Sequence, residues 1–265
     1  MSEDSFLSVK DALDCVLSLV RAGEKETIPL ESALGRVLAT DVFANRDQPP
    51  YDVSAMDGFA LISTDLSAGS AVLAVSEDIK AGDQPRQALT PGYCARIMTG
   101  APLPPGADAV LRVEDTIALP DGRVECRKKV VPGNDIRRQG EGMQTGQVLL
   151  TAGTLITPGV VGILATAKCA EVQVFRRPRV AILATGDELE ALDAPLDPLR
   201  IPDSNSYALL AQVQALGCTA RRLGIALDEP EDLARLLRHG LDDCDVLLVS
   251  GGSSVGVHDH VRPVL

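Results

Sequence analysis

Apolar residues near the N-terminus recur with the period of an amphipathic helix. Between residues 9 and 20 they return every three or four positions, Ser8 stands at the position of an N-cap, and Gly23 ends the pattern. A second and shorter helix is predicted over residues 31–38. We expect both helices to pack against the rest of the protein through their apolar residues.

The pattern changes between about residues 44 and 140, where glycine, proline and aspartate recur every few positions. Short apolar runs of strand type lie between these turn residues, for example at 71–75 and 109–113. Frequent turn signals around short strands are typical of a small β-rich domain. We therefore predict a β-rich domain with several loops in this part of the chain.

Between residues 147 and 178 the pattern predicts short strands and one helix. The strands are predicted at 147–150, 154–156 and 171–175. Thr157 and Pro158 predict the start of the helix, because threonine caps helices and proline is favoured at the first helical position.

The last third of the chain alternates strands with helices. An unbroken apolar run at residues 180–184 is typical of a strand that is buried on both faces. The elements that follow are predicted as a helix at 206–216, a strand at 219–223, a helix from 228 to 237 and a strand at 245–250. Strands that are joined through helices lie parallel in a doubly wound α/β sheet, and a strand order of 2-1-3 would place the first strand between the other two.

Composition narrows the classes of function. The 265 residues carry a formal net charge of −12, and aromatic residues make up 3% with no tryptophan. Such a chain repels polyphosphate backbones and offers few stacking platforms, so we expect no nucleic-acid partner. No apolar stretch approaches the ~18 residues that a membrane helix needs, and the acidic N-terminus differs from a signal peptide. We expect a cytoplasmic protein with no membrane partner.

Two loops fall at predicted carboxyl ends of strands, where open parallel sheets bind ligands. Gly186, Asp187 and Glu188 follow the first strand of the α/β domain. A run rich in glycine and serine follows the third strand and contains Ser250, Gly251, Gly252, Ser253, Ser254 and Gly256. The backbone amides and hydroxyls of such a run could bind a phosphate or another oxyanion. A tight turn at the two adjacent glycines, with solvated acids nearby, has similar weight from spacing alone.

If the two strands are neighbours, the space between their loops forms a crevice that acidic side chains would line. Glu188 and Asp259 would both line it, and two carboxylates that face an anion predict Mg²⁺ between them. Asp228 lies in the loop after the second strand, near the edge of the crevice. Taken alone, Asp228 is explained more simply as the N-cap of the helix that follows it.

The β-rich part also presents polar loops. Asp57 stands beside a glycine in an irregular segment, and Thr99 supplies a hydroxyl at the turn of a second loop. Arg137 and Arg138 bring adjacent guanidinium groups into an acidic chain, and guanidinium is suited to bidentate phosphate contacts. The alternatives are a simple Asp-Gly turn and a solvated pair of surface arginines.

Seven segments follow one another over nearly the whole chain: PPYDVSAMDGFA (49–60), IMTGAPLP (97–104), NDIRRQGE (134–141), TGDEL (185–189), DSN (203–205), LGIALDEP (223–230) and SGGSSVGVHD (250–259). Together they resemble the molybdopterin molybdenumtransferase family, which includes bacterial MoeA and the E domain of gephyrin. The combination of SAMDG with TGDEL and the SGG run carries the resemblance.

The resemblance implies a three-part body. An elongated helical and β domain would comprise residues 1–45 and 141–177, an inserted β-rich domain residues 46–140, and a doubly wound α/β molybdopterin-binding domain residues 178–265. It also implies a homodimer, in which the active cleft joins the α/β domain of one subunit to the β-rich domain of the other. Other cofactor-biosynthesis proteins are further candidate partners.

The same resemblance implies a reaction in which molybdenum passes from molybdate to adenylylated molybdopterin, with Mg²⁺ as cofactor and AMP as a product. By motif position, the functional acids and hydroxyl would be Asp57, Thr99, Glu188, Asp228 and Asp259. Glu188 and Asp259 would hold the metal.

Two other functions remain open. One is a non-catalytic molybdopterin-binding or scaffold module of the same fold. The other is an adenylyltransferase acting on molybdopterin, which the SAMDG-bearing domain disfavours.

Members of the family continue beyond the position that corresponds to residue 265, with a lysine-bearing segment and a C-terminal β-domain. We therefore expect these 265 residues to fold and to bind the substrate weakly with the help of Mg²⁺, without steady turnover of their own.

Overall fold

A computed structural model describes residues 7–252 and 260–264 of the chain. The chain divides into two compact units. The split unit consists of Met1–Thr40 with Thr151–Leu265, and the inserted unit consists of Asp41–Leu150. The three-domain division that the resemblance implies stays a prediction.

Within the described residues the chain forms helices α1 Val9–Leu19, α2 Pro158–Thr166, α3 Asn205–Ala215, α4 Pro230–Leu241 and α5 Val261–Val264. The first eight strands are β1 Lys25–Pro29, β2 Val42–Phe43, β3 Val53–Ser54, β4 Gly58–Leu61, β5 Ala71–Ile79, β6 Tyr93–Ile97, β7 Ala109–Arg112 and β8 Thr116–Ala118. The remaining strands are β9 Arg123–Cys126, β10 Ile136–Arg137, β11 Val148–Leu150, β12 Glu171–Phe175, β13 Arg179–Thr185, β14 Leu189–Glu190, β15 Ile201–Pro202, β16 Thr219–Ala226 and β17 Val246–Ser250. No helix in the described part of the chain is both long and apolar enough to cross a membrane.

A six-stranded sheet in the order β7-β4-β6-β5-β9-β8 forms the centre of the inserted unit. Its neighbours run antiparallel except for β5 and β6, which are parallel. Alternate residues along β4 and β7 enter different apolar clusters, with Leu61 and Leu111 in one cluster and Ala60 and Val110 in the other. The sheet thus buries apolar side chains on both faces, and the predicted β-rich architecture is confirmed.

The split unit contains the parallel sheet that the sequence predicts. Its order is β16-β13-β17, so the first strand lies between the other two. On one face Val180 and Ile182 pack with Val213 of α3, and on the other face Leu183 packs with Leu233 of α4. The central strand is therefore buried on both faces, as its unbroken apolar run predicts.

Helix α1 forms where the sequence predicts it, but the prediction that it packs by its apolar residues is wrong. The hydroxyl of Ser8 caps the helix by accepting a hydrogen bond from the N–H of Asp11 at 3.1 Å. None of the helical residues is buried within the described chain, and Leu13, Val16 and Leu17 are 55%, 59% and 59% exposed. The apolar stripe of α1 faces solvent.

The second predicted helix is also wrong. Only a 3₁₀ turn forms, at Leu30–Ser32, and Gly35 then takes a left-handed conformation with φ of +73°. Val37 forms a bridge with Leu155, and the side chain of Leu38 is fully buried. The segment forms extended pairings because its apolar residues are buried by partners distant in sequence.

Candidate functional site

The strand order brings two predicted loops together at the carboxyl ends of the parallel strands. Residues 186–188, 228 and 250–252 lie at the carboxyl ends of β13, β16 and β17, and we call them the strand-end site. A Cβ on Gly251 would lie 2.4 Å from the carbonyl oxygen of Thr185, so the chain after β17 packs directly against the end of β13. Gly251 and Gly252 have φ of +103° and +63°, which makes the tight turn at these glycines part of the observed structure.

Asp228 turns back toward the central strand. One of its carboxylate oxygens accepts a hydrogen bond from the hydroxyl of Thr185 at 2.9 Å, and its N–H donates to the carboxylate of Asp187 at 3.1 Å. The helix that follows begins at Pro230 with Glu229 at the N-cap position. The interpretation of Asp228 as a helix cap is therefore wrong, and its carboxylate belongs to the strand-end site.

Glu188 folds over the glycine that precedes the acidic pair. A Cβ at Gly186 would lie 2.6 and 2.7 Å from the two carboxylate oxygens of Glu188, and Gly186 has φ of +148°. Glycine at this position gives the carboxylate room against the backbone. Three acids, Asp187, Glu188 and Asp228, thus occupy one end of the sheet.

Carboxylate oxygen is the donor type that Mg²⁺ prefers. The described residues contain no group of three histidines, cysteines or acids arranged to hold a metal by themselves. Mg²⁺ is commonly held by one or two carboxylates together with substrate phosphates, so the donors at the strand-end site fit an ion of that kind. The proposed second ligand, Asp259, and the loop residues Ser253, Ser254 and Gly256 lie outside the described residues.

In the inserted unit the structure joins the two candidate residues of the β-rich part. The backbone N–H and the hydroxyl of Thr99 both donate to one carboxylate oxygen of Asp57, each at 2.7 Å. These bonds, the backbone one first, hold the pKa of Asp57 below its usual range, so the side chain is ionised near neutral pH. The next residue is Gly58, and only glycine fits there, because a Cβ would lie 2.0 Å from the carbonyl oxygen of Leu111 on the neighbouring strand.

Asp57 and Thr99 line a cavity of about 550 Å³, which we call the Asp57 cavity. Its full lining is Met56, Asp57, Thr99, Arg112, Glu114, Asp115 and Lys128. Arg112 donates to both carboxylate oxygens of Asp135 at 2.9 Å, and the ammonium of Lys128 lies 3.2 Å from a carboxylate oxygen of Asp115. The bonds from Arg112 lower the pKa of Asp135. Each cation is therefore fixed in place by an acid.

Sequence reasoning missed Arg112 and Lys128. The available signal was weak: Arg112 is the exposed last residue of a strand whose other residues are buried. The chain there reads Ala-Val-Leu-Arg, in which a charge ends an apolar run. Nothing local places Lys128 beside the same cavity, because that position depends on strand pairing over long distances in sequence.

The two arginines that were predicted to hold a phosphate form ion pairs with acids of the same unit. Arg138 donates to the carboxylate of Asp52 at 2.6 Å, and Nε of Arg137 lies 3.6 Å from the carboxylate of Glu141. Neither arginine is among the residues that line the Asp57 cavity. Both side chains are more than half exposed, and their role toward phosphate stays a prediction.

Two sequence families match the chain. The family described as MoeA N-terminal region (domain I and II) matches residues 7–167, and the family described as probable molybdopterin binding domain matches residues 181–265. Among curated proteins, the molybdopterin molybdenumtransferase of Nostoc sp. is 40% identical over 266 residues, covering 97% of this chain and 61% of the relative. The protein of the same name from Bacillus subtilis is 37% identical over 265 residues, covering 97% and 62%.

Solved structures agree with these matches. Two structures of molybdopterin biosynthesis MoeA proteins from Pyrococcus horikoshii each superpose with a TM-score of 0.84, at 31% and 29% identity. They cover 97% and 91% of this chain, and 66% and 65% of the chains compared. This chain spans 61–62% of the length of the two curated relatives named above.

Proposed function

The chain belongs to the MoeA family, and on that premise we propose that the protein transfers molybdenum from molybdate to adenylylated molybdopterin with release of AMP. The observation that carries the proposal is the strand-end site, where Glu188 and Asp228 meet a glycine turn at the edge of a sheet of the molybdopterin-binding family. A purely structural scaffold would not require several acidic side chains at the carboxyl ends of these strands. The relatives bear transferase names, which also disfavours the binding-module alternative.

Acids at both candidate sites have oxygens with which they could bind the substrate. Asp57 and Asp228 each keep one carboxylate oxygen without a hydrogen-bond donor among the described residues, and that oxygen is free to contact a ligand. Arg112 and Lys128 present cationic groups beside Asp57. A phosphate or molybdate oxygen could accept from them while Asp57 orients a donor of the substrate.

Mg²⁺ is the proposed cofactor, held by Glu188 together with Asp259. When bound, it would neutralise charge between these acids and the substrate phosphates. A chain with a net charge of −12 otherwise repels an anionic substrate.

Binding of adenylylated molybdopterin tests the proposal, with pterin fluorescence as the readout. We expect saturable binding that requires Mg²⁺, weakens with added salt and falls in Glu188→Ala. Asp121→Ala is the matched control, because Asp121 lies in an exposed ion pair with Arg123 that is separate from both sites. A single round of AMP release after molybdate is added reports the transfer without steady turnover and should require Asp57.

Two results would contradict the transferase. One is an affinity for adenylylated molybdopterin that changes neither when Mg²⁺ is removed nor in the Glu188→Ala variant. The other is AMP release that proceeds equally well without molybdate.

We further propose that the protein is a homodimer, as the family resemblance implies, and that α1 contributes to the contact. Support comes from the exposed apolar stripe that includes Leu13 and Leu17. A second copy would remove these side chains from water. Light scattering should give twice the chain mass, and Leu13→Glu with Leu17→Glu should give the monomer. Leu216→Glu is the control, because Leu216 is 79% exposed but lies outside α1.

The proposed sharing of one cleft by two subunits has its own test. Asp57→Ala and Glu188→Ala variants are each expected to be inactive alone. A mixed dimer would contain one intact cleft and should recover part of the activity. If verified mixed dimers show none, the shared cleft is ruled out while the dimer itself is not.

A further inference from the structure

The loop that carries Glu188 is exposed, yet much of its backbone is hydrogen-bonded to one other segment. Three successive carbonyl oxygens in this loop each accept a hydrogen bond from residues 200 and 201. Nη1 of Arg200 donates to the carbonyl of Asp187 at 2.9 Å and to that of Leu189 at 3.3 Å. The N–H of Ile201 donates to the carbonyl of Glu188 itself at 2.9 Å. Arg200 thus bonds to the chain on both sides of the acid.

The segment that supplies these donors is itself anchored in the interior. The N–H of Asp203 donates to the carbonyl of Glu190 at 3.0 Å, which continues the pairing of β14 with β15. The carboxylate of Asp203, which is 2% exposed, accepts from the N–H of Ser206 and from Arg222, each at 3.0 Å. An anchored segment can hold a loop in one position, whereas a mobile one cannot.

The same segment also reaches the second loop of the strand-end site. The side-chain amide of Asn205 donates to the hydroxyl of Ser250 at 3.1 Å. Residues 200–205 therefore contact both the loop after β13 and the end of β17.

We propose that Arg200 is a positioning residue that fixes the carboxylate of Glu188 for the substrate, an inference that rests on the proposed function. The guanidinium suits this task because Nη1 carries two N–H groups that can serve two carbonyls at once. The carboxylate of Asp197 lies 3.8 Å from Nε of Arg200 and forms an exposed ion pair with it. A lysine could replace one of the two bonds to the loop, so the structure predicts partial function for Arg200→Lys and loss for Arg200→Met.

Hydrogen exchange and binding together test the inference on the full chain. In Arg200→Met, we expect amide exchange in residues 186–190 to accelerate. The Kd for adenylylated molybdopterin with Mg²⁺ should rise about tenfold, the order of effect expected when both exposed hydrogen bonds from Nη1 are lost. Arg200→Lys should recover part of both effects. Arg235→Met is the matched control, since Arg235 makes an exposed ion pair on α4 and should change neither readout.

A double-mutant cycle separates positioning from direct contact with the ligand. If Arg200 acts through Glu188, the variant that combines Arg200→Met with Glu188→Ala binds no more weakly than Glu188→Ala alone. Additive losses would overturn the inference, because they would mean that the guanidinium binds the substrate independently. Unchanged exchange in Arg200→Met would overturn it as well. Failure of the unaltered chain to bind would instead count against the proposed function, and the exchange measurement would still decide the role of Arg200.

Discussion

Removal of the Asp203 carboxylate should destabilise the split unit strongly. This carboxylate accepts hydrogen bonds from the N–H and the hydroxyl of Ser206 and from Nη2 of Arg222. Breaking a buried ion pair by removing one partner costs about 3–5 kcal/mol. Arg222 keeps 21% of its side chain exposed and stacks over Tyr207 at 3.5 Å, so water and the ring compensate in part. We expect Asp203→Ala to cost about 3 kcal/mol, at the lower end of that range.

Differential scanning calorimetry can measure this cost. For a unit of this size, a loss of about 3 kcal/mol lowers the Tm by roughly 10 °C. Asp243→Ala is the control in the same unit, because its ion pair with Arg179 leaves both side chains 45% or more exposed and should be worth less than about 1 kcal/mol. If both variants lower the Tm equally, the buried hydrogen bonds of Asp203 contribute no more to stability than an exposed ion pair does.

The pH dependence gives a second measure of the same interaction. Burial acts to raise the pKa of Asp203, but the bonds from Ser206 and Arg222 outweigh it and hold the pKa below its usual range. The folded pKa therefore lies below the unfolded value of about 3.9. The stabilisation is complete above that pH and is lost as the pH falls through the folded pKa. The Tm difference between the unaltered chain and Asp203→Ala should narrow at pH 3, and a constant difference would show that the charge is not its source.

Three further changes follow from the same contacts. Gly251→Ala should lower both the Tm and the binding of adenylylated molybdopterin, because its Cβ would lie 2.4 Å from the carbonyl oxygen of Thr185. Asp57→Asn should abolish molybdate-dependent AMP release with little change in Tm, since the side chain lines an open cavity; a large drop in Tm would indicate a structural role instead. Asp245→Asn should destabilise the chain at pH 7 and less so below pH 4, as followed by thermal melts. The guanidinium of Arg176 holds the pKa of Asp245 well below its usual range, so the stabilisation is present above the unfolded pKa and is lost as the pH falls.

Local signals in the sequence predicted elements well where the partner lay nearby. Thr157 caps α2, since its hydroxyl accepts from the N–H of Val160 at 3.4 Å, and Pro158 is the first helical residue. The strand order β16-β13-β17 was also predictable, because the unbroken apolar run of β13 requires helices on both faces.

The sequence predicted poorly what depends on distant partners. Leu38 fits a helical pattern, but its backbone N–H is bonded to the carbonyl of Thr154, more than a hundred residues along the chain. Asp228 fits an N-cap pattern, but its carboxylate accepts from the hydroxyl of Thr185, and Glu229 holds the N-cap position. In both cases a local preference worth about 1 kcal/mol gives way to tertiary contacts that no short window contains.

Two acids in different units are each held through one carboxylate oxygen by uncharged donors, and this bears on how an acidic chain could bind an anion. Asp57 is fixed through one carboxylate oxygen by the backbone and hydroxyl of Thr99, and Asp228 is fixed through one oxygen by the hydroxyl of Thr185. A neutral hydroxyl orients a carboxylate without neutralising it, whereas an arginine would do both. Each acid therefore has one carboxylate oxygen left for a ligand among the described residues. That arrangement repels a bare anion and favours one that arrives with Mg²⁺, which is why binding should depend on the metal more steeply than on any single basic side chain.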